Sequence, residues 1–331
     1  MSYGKVIVLD CDLPGQPVEG FLSAAGFSPV SAESYDLKNI GEWGAGAVGL
    51  VVQWEQVTSA MMDQLPELRA ISRLGIGYDM IDVDAAGERA VAVMNAPDYC
   101  IEEVAAHTIA MIMDAVRGIT RYDRDVRSQI WQPVVPGRPA RRPSTMTVGI
   151  VGFGRIGRLV ARYASALGFS VVVADPYANG DAVRADGHEI VELPQLLELS
   201  DVVTLHAPLN EETHHMMNRS AFALMKPGAT IVNTCRGGLI DEASLTDALE
   251  SGHVGLALLD VYESEPLEED SRLRALSNTI LTPHSAWFSP ESLVDLPVHA
   301  ARNIVAFLSG GSVSSVVNGN VLKKLSSEPT P

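Results

Sequence analysis

Short runs of β-branched and aliphatic residues recur along the chain, separated by stretches in which apolar residues return every three or four positions. The first pattern suits strands buried on both faces and the second suits helices that cover them, so their alternation predicts parallel α/β sheets. In the first hundred residues KVIVLD, AVGLVV and AISRLG are the predicted strands, with VEGFLSAAGF and SAMMDQLPEL as helices between them. From Ile101 to about Trp131 the apolar spacing of three and four is unbroken, which predicts one long helix with Glu102 and Glu103 favourably placed in its first turn. A loop rich in Pro and Arg follows, and TVGIVGFG opens a second α/β series that runs through SVVVADP, DVVTLHAP, GATIVNTC, VGLALLDVY and TILTPH. A final helix is predicted from about Ser289 to Ser309, before a polar tail whose SSEPTP end reads as disordered. The chain has no internal repeat.

Its 331 residues exceed what one core usually serves, so two domains are expected, and a 47% hydrophobic content is ample to fill them. A formal charge of −17 repels phosphate backbones and anionic membranes, which excludes nucleic acid as an expected partner. RPARRP, the one local basic cluster, reads with its prolines as an exposed loop. Cys11, Cys100 and Cys235 are odd in number and lack CxxC spacing, giving neither a disulfide framework nor a zinc site. Nor is a metal expected at His214 and His215 of ETHHMMN, which read as an exposed loop. With no secretory leader pattern and no uninterrupted apolar run of roughly 18 residues, a soluble, cytoplasmic protein without a membrane partner is expected.

Gly152, Gly154 and Gly157 form GxGxxG, a weak pattern alone. Here it follows a predicted strand, opens a predicted helix and precedes Asp175 at the end of the next strand, the context of a dinucleotide site. Gly152 permits the turn, Gly154 lets backbone approach a pyrophosphate, Gly157 lets helix and strand pack, and the helix N-terminus supplies N–H groups to the anion. Asp175 would accept hydrogen bonds from ribose hydroxyls and repel a 2′-phosphate, which favours NAD over NADP.

Ligands of doubly wound sheets sit beyond the carboxyl ends of the strands. There the chain places Arg236 after ATIVNTC, Asp260, Glu263 and Glu265 after GLALL, and His284 after NTILTP. Reducing a 2-oxo acid needs its carboxylate held, its carbonyl polarised and a proton supplied. The planar fork of Arg236 suits the first two tasks, His284 titrates near working pH, and Glu265 is the candidate to orient it. His206 also follows a strand, where lining a cofactor or capping suits it as well as chemistry does.

Together GFGRIG with Asp175, HAPLNEET, NTCRGGLID, LDVYESEP and TPH, with SRLGIGYDMID and NAPDYCIEEVA earlier, resemble the D-isomer-specific 2-hydroxyacid dehydrogenase family over nearly the whole chain. The resemblance implies two doubly wound parallel-sheet α/β domains: a flavodoxin-like substrate-binding domain of residues 1–100 plus 289–331, and a Rossmann NAD domain of residues 101–288, with a cleft between them. It implies catalytic roles for Arg236, Glu265 and His284. Main-chain N–H groups around Ile76 and Gly77 match the loop that helps hold the substrate carboxylate. Phe153, Arg155 and Ile156 join the glycines in the pyrophosphate loop. Thr213, Cys235 and Asp260 match cofactor-lining positions; His206, Ala207, Pro208, Thr234 and Ala286 are placed with them, and Thr108 matches a helix residue that often reaches the cofactor. A homodimer is also implied.

The chain departs from the common pattern at Ala106, at DMID, and at SAW after His284. Trp287, DYCIEEV and LDVYESEP are similar to the C-terminal binding protein branch of NAD(H)-sensing corepressors, the alternative to an enzyme. Trp287 either lines the substrate pocket or packs in the core, and the same two readings apply to Trp54. Glutamate at 265 argues against formate oxidation, where the family variant carries glutamine.

Overall fold

The computed structural model describes residues 3–11, 13–14, 17–134 and 140–319. SSEPTP and the first two residues of RPARRP lie outside them. Two compact units divide the chain, one of residues 1–100 and 289–331 and the other of residues 101–288.

The first unit holds five strands, β1 (Lys5–Val8), β2 (Ser28–Ser31), β3 (Ala47–Val52), β4 (Ala70–Arg73) and β5 (Ala92–Met94), all parallel in the order β2-β1-β3-β4-β5. This is the flavodoxin-like order. One face buries Ile7, Leu50, Ile71 and Val93 against Ile40, Met61 and Leu65. The helix Pro290–Leu308 crosses the sheet, so close at Gly49 that a Cβ there would lie 2.8 Å from Ile304 Cδ1. Ser72 Oγ donates to the Ala300 carbonyl at 2.9 Å, and Asn303 Nδ2 to that of Asn95 at 2.8 Å. Ser289 and Ser292 start this helix with a reciprocal capping box, each side chain accepting from the other's backbone N–H.

Seven parallel strands make the second unit: β6 (Thr147–Val151), β7 (Ser170–Ala174), β8 (Glu189–Ile190), β9 (Val202–Leu205), β10 (Ala229–Asn233), β11 (Val254–Leu259) and β12 (Thr279–Leu281). Their order, β12-β11-β10-β9-β6-β7-β8, reverses direction between β6 and β9, as in a Rossmann sheet. Alternate residues serve opposite faces. Val148, Ile150, Val171 and Val173 pack with Ile112 and Val160, while Val151, Val172, Ile231 and Leu259 pack with Leu196, Phe222 and Leu245. Both faces are buried, which is why the strands read as unbroken apolar runs.

The long helix expected from Ile101 to about Trp131 is two helices, Ile101–Arg117 and Ile119–Arg127. Gly118 between them takes φ +66°, a left-handed conformation in which glycine lacks the Cβ penalty. Asp114 holds the break, its carbonyl accepting from Gly118 N–H at 2.5 Å and its Oδ1 from Thr120 N–H at 2.7 Å. SAMMDQLPEL is helical only over Ser59–Asp63, ending before Pro66, whose ring disfavours helix in the residue before it. No helix among the described residues is long and apolar enough to cross a membrane.

Candidate active site

The glycines after β6 meet three different surroundings. Gly152 has φ +92°, and a Cβ on it would lie 2.6 Å from the His206 carbonyl. One on Gly157 would lie 2.1 Å from Gly152 O, whereas one on Gly154 would meet nothing within 4 Å. The turn is therefore closed on the protein side and open at Gly154, where the helix Arg155–Ala166 begins with no side chain capping it. An open backbone at a helix N-terminus fits a pyrophosphate. Asp175, one residue beyond β7, is fixed by the N–H groups of Phe153 (2.7 Å, to Oδ2) and Tyr177 (2.8 Å, to Oδ1), and its remaining lone pairs suit ribose hydroxyls. The residues present thus fit a dinucleotide.

His206 follows β9, with Nε2 3.0 Å from Thr204 Oγ1. Burial pulls its imidazole down to about 3, so it is neutral at ordinary pH and is no reservoir of protons there. Ala207 is buried, and its carbonyl accepts from Cys235 Sγ at 2.9 Å. Thr213 Oγ1 donates to the Pro208 carbonyl (2.6 Å) and accepts from Asn210 N–H (2.9 Å), closing the turn after β9. Thr108 is fully buried, its hydroxyl 2.8 Å from that of Thr234, so the two threonines pin the helix Ile101–Arg117 to the end of β10.

Beyond β10, the buried Asn233 shapes the turn: its Oδ1 accepts from Cys235 N–H (3.0 Å) and its Nδ2 donates to the Arg236 carbonyl (2.7 Å). Arg236 Nη1 donates to the Cys235 carbonyl at 2.7 Å. Gly237 is required by close approach, since a Cβ would lie 1.9 Å from the Tyr262 carbonyl carbon. That contact sets the Arg236 turn against the loop that follows β11.

Asp260, one residue beyond β11, has a side chain only 1% exposed. Its carboxylate accepts from Thr282 Oγ1 (2.5 Å) and from the N–H groups of Ser285 and Ala286 (2.9 Å each), so it brackets residues 282–286. Within that bracket His284 is held at φ +50°, its N–H donating to the Asp260 carbonyl at 2.8 Å. Glu265 Oε2 lies 2.6 Å from His284 Nδ1, and its Oε1 accepts from Tyr262 N–H at 3.0 Å. A carboxylate can only accept, so Nδ1 carries the proton toward Glu265. The Tyr262 hydroxyl donates to the Thr282 carbonyl (2.9 Å). Burial, with Asp260 and Glu265 nearby, pushes it up to about 12, so it keeps its proton and ties the two loops together.

Trp287 meets Phe288 edge to face, with ring centroids 6.0 Å apart. Ala286 is buried beside it. In the first unit, Trp54 follows β3 and remains 38% exposed. The Arg73 guanidinium, at the end of β4, stands 5.5 Å from its ring centroid. Gly75, at φ +146°, makes room for Arg73, since a Cβ there would overlap Nη1. Asn95 Nδ2 holds the Ile76 carbonyl at 2.7 Å, which fixes the Ile76–Gly77 loop.

Two features escape a reading of the sequence. Tyr262 looks like one more apolar residue of GLALLDVY. His215, read as part of an exposed loop, is hydrogen-bonded through Nε2 to Glu263 Oε1, 48 residues away in the chain. Among the described residues no cluster of His, Cys, Asp and Glu is arranged to hold a metal.

Residues 109–286 match the family described as D-isomer specific 2-hydroxyacid dehydrogenase, NAD binding domain. The chain is 37% identical over 277 residues to a glyoxylate reductase of Korarchaeum cryptofilum, covering 81% of this chain and 82% of that protein. It is also 37% identical over 262 residues to the D-3-phosphoglycerate dehydrogenase of Mycobacterium leprae, but spans only 49% of that longer protein. The crystal structure of a glyoxylate reductase from Paecilomyes thermophila superposes with a TM-score of 0.86 at 27% identity, covering 97% of this chain and 100% of that one.

Proposed function

The chain belongs to the D-isomer-specific 2-hydroxyacid dehydrogenase family, a family of NAD-binding oxidoreductases, and on that premise we propose that it interconverts a small 2-oxo acid and its D-2-hydroxy acid. The observation that carries this reading is the 2.6 Å bond between Glu265 Oε2 and His284 Nδ1, formed across the ends of β11 and β12, next to the turn that presents Arg236. NADH, when bound, supplies the hydride. Arg236 grips the substrate carboxylate and draws electron density from the 2-oxo group. His284 gives the proton from Nε2 to the carbonyl oxygen during reduction and takes it back during oxidation. Glu265 holds the imidazole in the required tautomer and stabilises its charged form.

The cofactor rests on Gly152–Gly157 with Asp175 at the ribose, which favours NAD. His206, Ala207, Pro208, Thr213, Thr234, Cys235, Asp260, Ala286 and Thr108 line or brace that side. The first unit serves as the substrate-binding domain, through the Ile76 and Gly77 N–H groups and Trp54, and Trp287 contributes to the fit of the substrate side chain. Exposed Ile119, Val126, Trp131 and Val134 concentrate on one segment, which supports a homodimer. Cysteines that are odd in number and lack CxxC spacing support a reducing, cytoplasmic setting. The names of the relatives do not favour the corepressor alternative.

The test is NADH oxidation with purified protein and 2-oxo acids graded by side-chain size, from glyoxylate through pyruvate and hydroxypyruvate to an aromatic member. Turnover with at least one, yielding the D-product, is expected. Tight NADH binding with no turnover on any of them would leave a nucleotide-sensing protein instead.

A further inference from the structure

A second histidine–glutamate pair stands beside the first. Glu263 and Glu265 lie two residues apart in one loop, and each binds a histidine from another strand end: Glu265 takes His284, Glu263 takes His215. Four described non-glycine residues have positive φ, and two of them are these histidines, His215 at +51° and His284 at +50°. Such conformations are costly and persist only where surrounding contacts over-determine them. At His215 one contact is local, Asn218 Nδ2 donating to its carbonyl at 3.1 Å, and the others close on the turn that carries Arg236. His215 N–H donates to the Gly238 carbonyl (2.8 Å), Met217 N–H to that of Leu239 (3.0 Å), and Asp241 N–H returns to Met217 (3.0 Å). The His214 ring stacks on that of His215 with centroids 3.9 Å apart, and a Cβ on Gly238 would lie 3.7 Å from His214 Cδ2. On the other side Gly237 presses on the Tyr262–Glu263 backbone, and Glu263 N–H donates to Glu242 Oε1 at 2.6 Å. Glu242 opens the helix Glu242–Glu250 that continues from the Arg236 turn.

We infer that His215 and Glu263 form a strap across the Arg236–Gly238 turn, closed between the loops after β9 and β11, and that they are positioning residues for Arg236. Neither is placed in contact with substrate. The strap fixes where the guanidinium fork points, and therefore how well the 2-oxo acid carboxylate is held. This inference rests on the role proposed for Arg236. A carboxylate contact made alike in ground state and transition state sets KM more than kcat. Loosening it through the loss of a partly exposed hydrogen bond to a carboxylate is worth about tenfold.

The experiment is steady-state reduction of the best 2-oxo acid by His215→Ala, His215→Gln, Glu263→Ala and Arg236→Ala proteins, with NADH affinity from fluorescence titration and Tm alongside. His215→Ala and Glu263→Ala are expected to raise KM for the 2-oxo acid about tenfold, with a smaller fall in kcat and unchanged NADH affinity. His215→Gln, whose amide still reaches Glu263, is expected to recover most of the loss. An unchanged KM in both alanine variants overturns the strap, as does a common fall in kcat, NADH affinity and Tm that glutamine does not rescue. Arg236→Ala separates the two levels: if it retains wild-type KM and kcat, the role of Arg236 fails, whereas if it is crippled while His215→Ala is normal, only the strap fails.

Discussion

At the scale of single residues, two histidines near strand ends sit in different surroundings. Burial keeps His206 neutral down to about pH 3, while Glu265, proposed to orient His284, has Oε2 2.6 Å from its Nδ1. His284→Ala is therefore expected to lower kcat by at least about two orders of magnitude, the usual worth of a general acid, with NADH affinity nearly unchanged. Stopped-flow reduction and NADH titration measure both. On the role proposed for His284, reduction should quicken toward mildly acidic pH and oxidation toward alkaline pH. His206→Gln should leave the midpoint of that profile in place; a shifted midpoint would assign the titration to His206. His206 has a second, thermodynamic signature. Its folded pKa is depressed below the ordinary 6.5, so its contribution to stability is complete above that value and is lost as pH falls toward 3.

At the scale of elements, the ends of β6, β7, β9, β10, β11 and β12 carry the groups of the candidate site, and what the sequence discloses depends on distance along the chain. GxGxxG with Asp175, the arginine after NTC and the histidine after TP are local texts at the ends of apolar runs, so they can be read directly. The His215–Glu263 pair and the Tyr262 ties join segments far apart in sequence, where no periodicity links the partners. The edge strand β8 has only two residues and β2 (SPVS) is short, polar and contains proline, so neither resembles a strand in isolation. Gly118 was invisible to spacing, because apolar residues continue in phase on both sides of it. Gly118→Ala forces a Cβ into φ +66° at 3.0 Å from Arg121 Nη2, and should cost about 1 kcal/mol, read as a lower Tm with kcat unaffected. A rise in Tm would mean that the break relaxes into one continuous helix. At the end of β7, Asp175→Ala should narrow the preference for NADH over NADPH, measured as the ratio of kcat/KM values; an unchanged ratio would discount that carboxylate as the selector.

At the scale of the whole molecule, light scattering is expected to give twice the mass of a single chain, and Trp131→Asp to reduce it; a monomeric wild-type protein would instead leave those apolar side chains as an isolated exposed patch. NADH at a hundredfold excess over its Kd should stabilise the protein by about 2.7 kcal/mol, visible as a raised Tm. The helix Pro290–Leu308 has a further consequence during synthesis. It covers β3 and β4, yet it leaves the ribosome after all of residues 101–288 have been made. The first sheet must therefore wait, half-dressed, while the inserted unit is completed. A stalled nascent chain ending near residue 288 should present its later-made part as protease-resistant and its earlier-made part as open to cleavage, the reverse of the order in which they emerged.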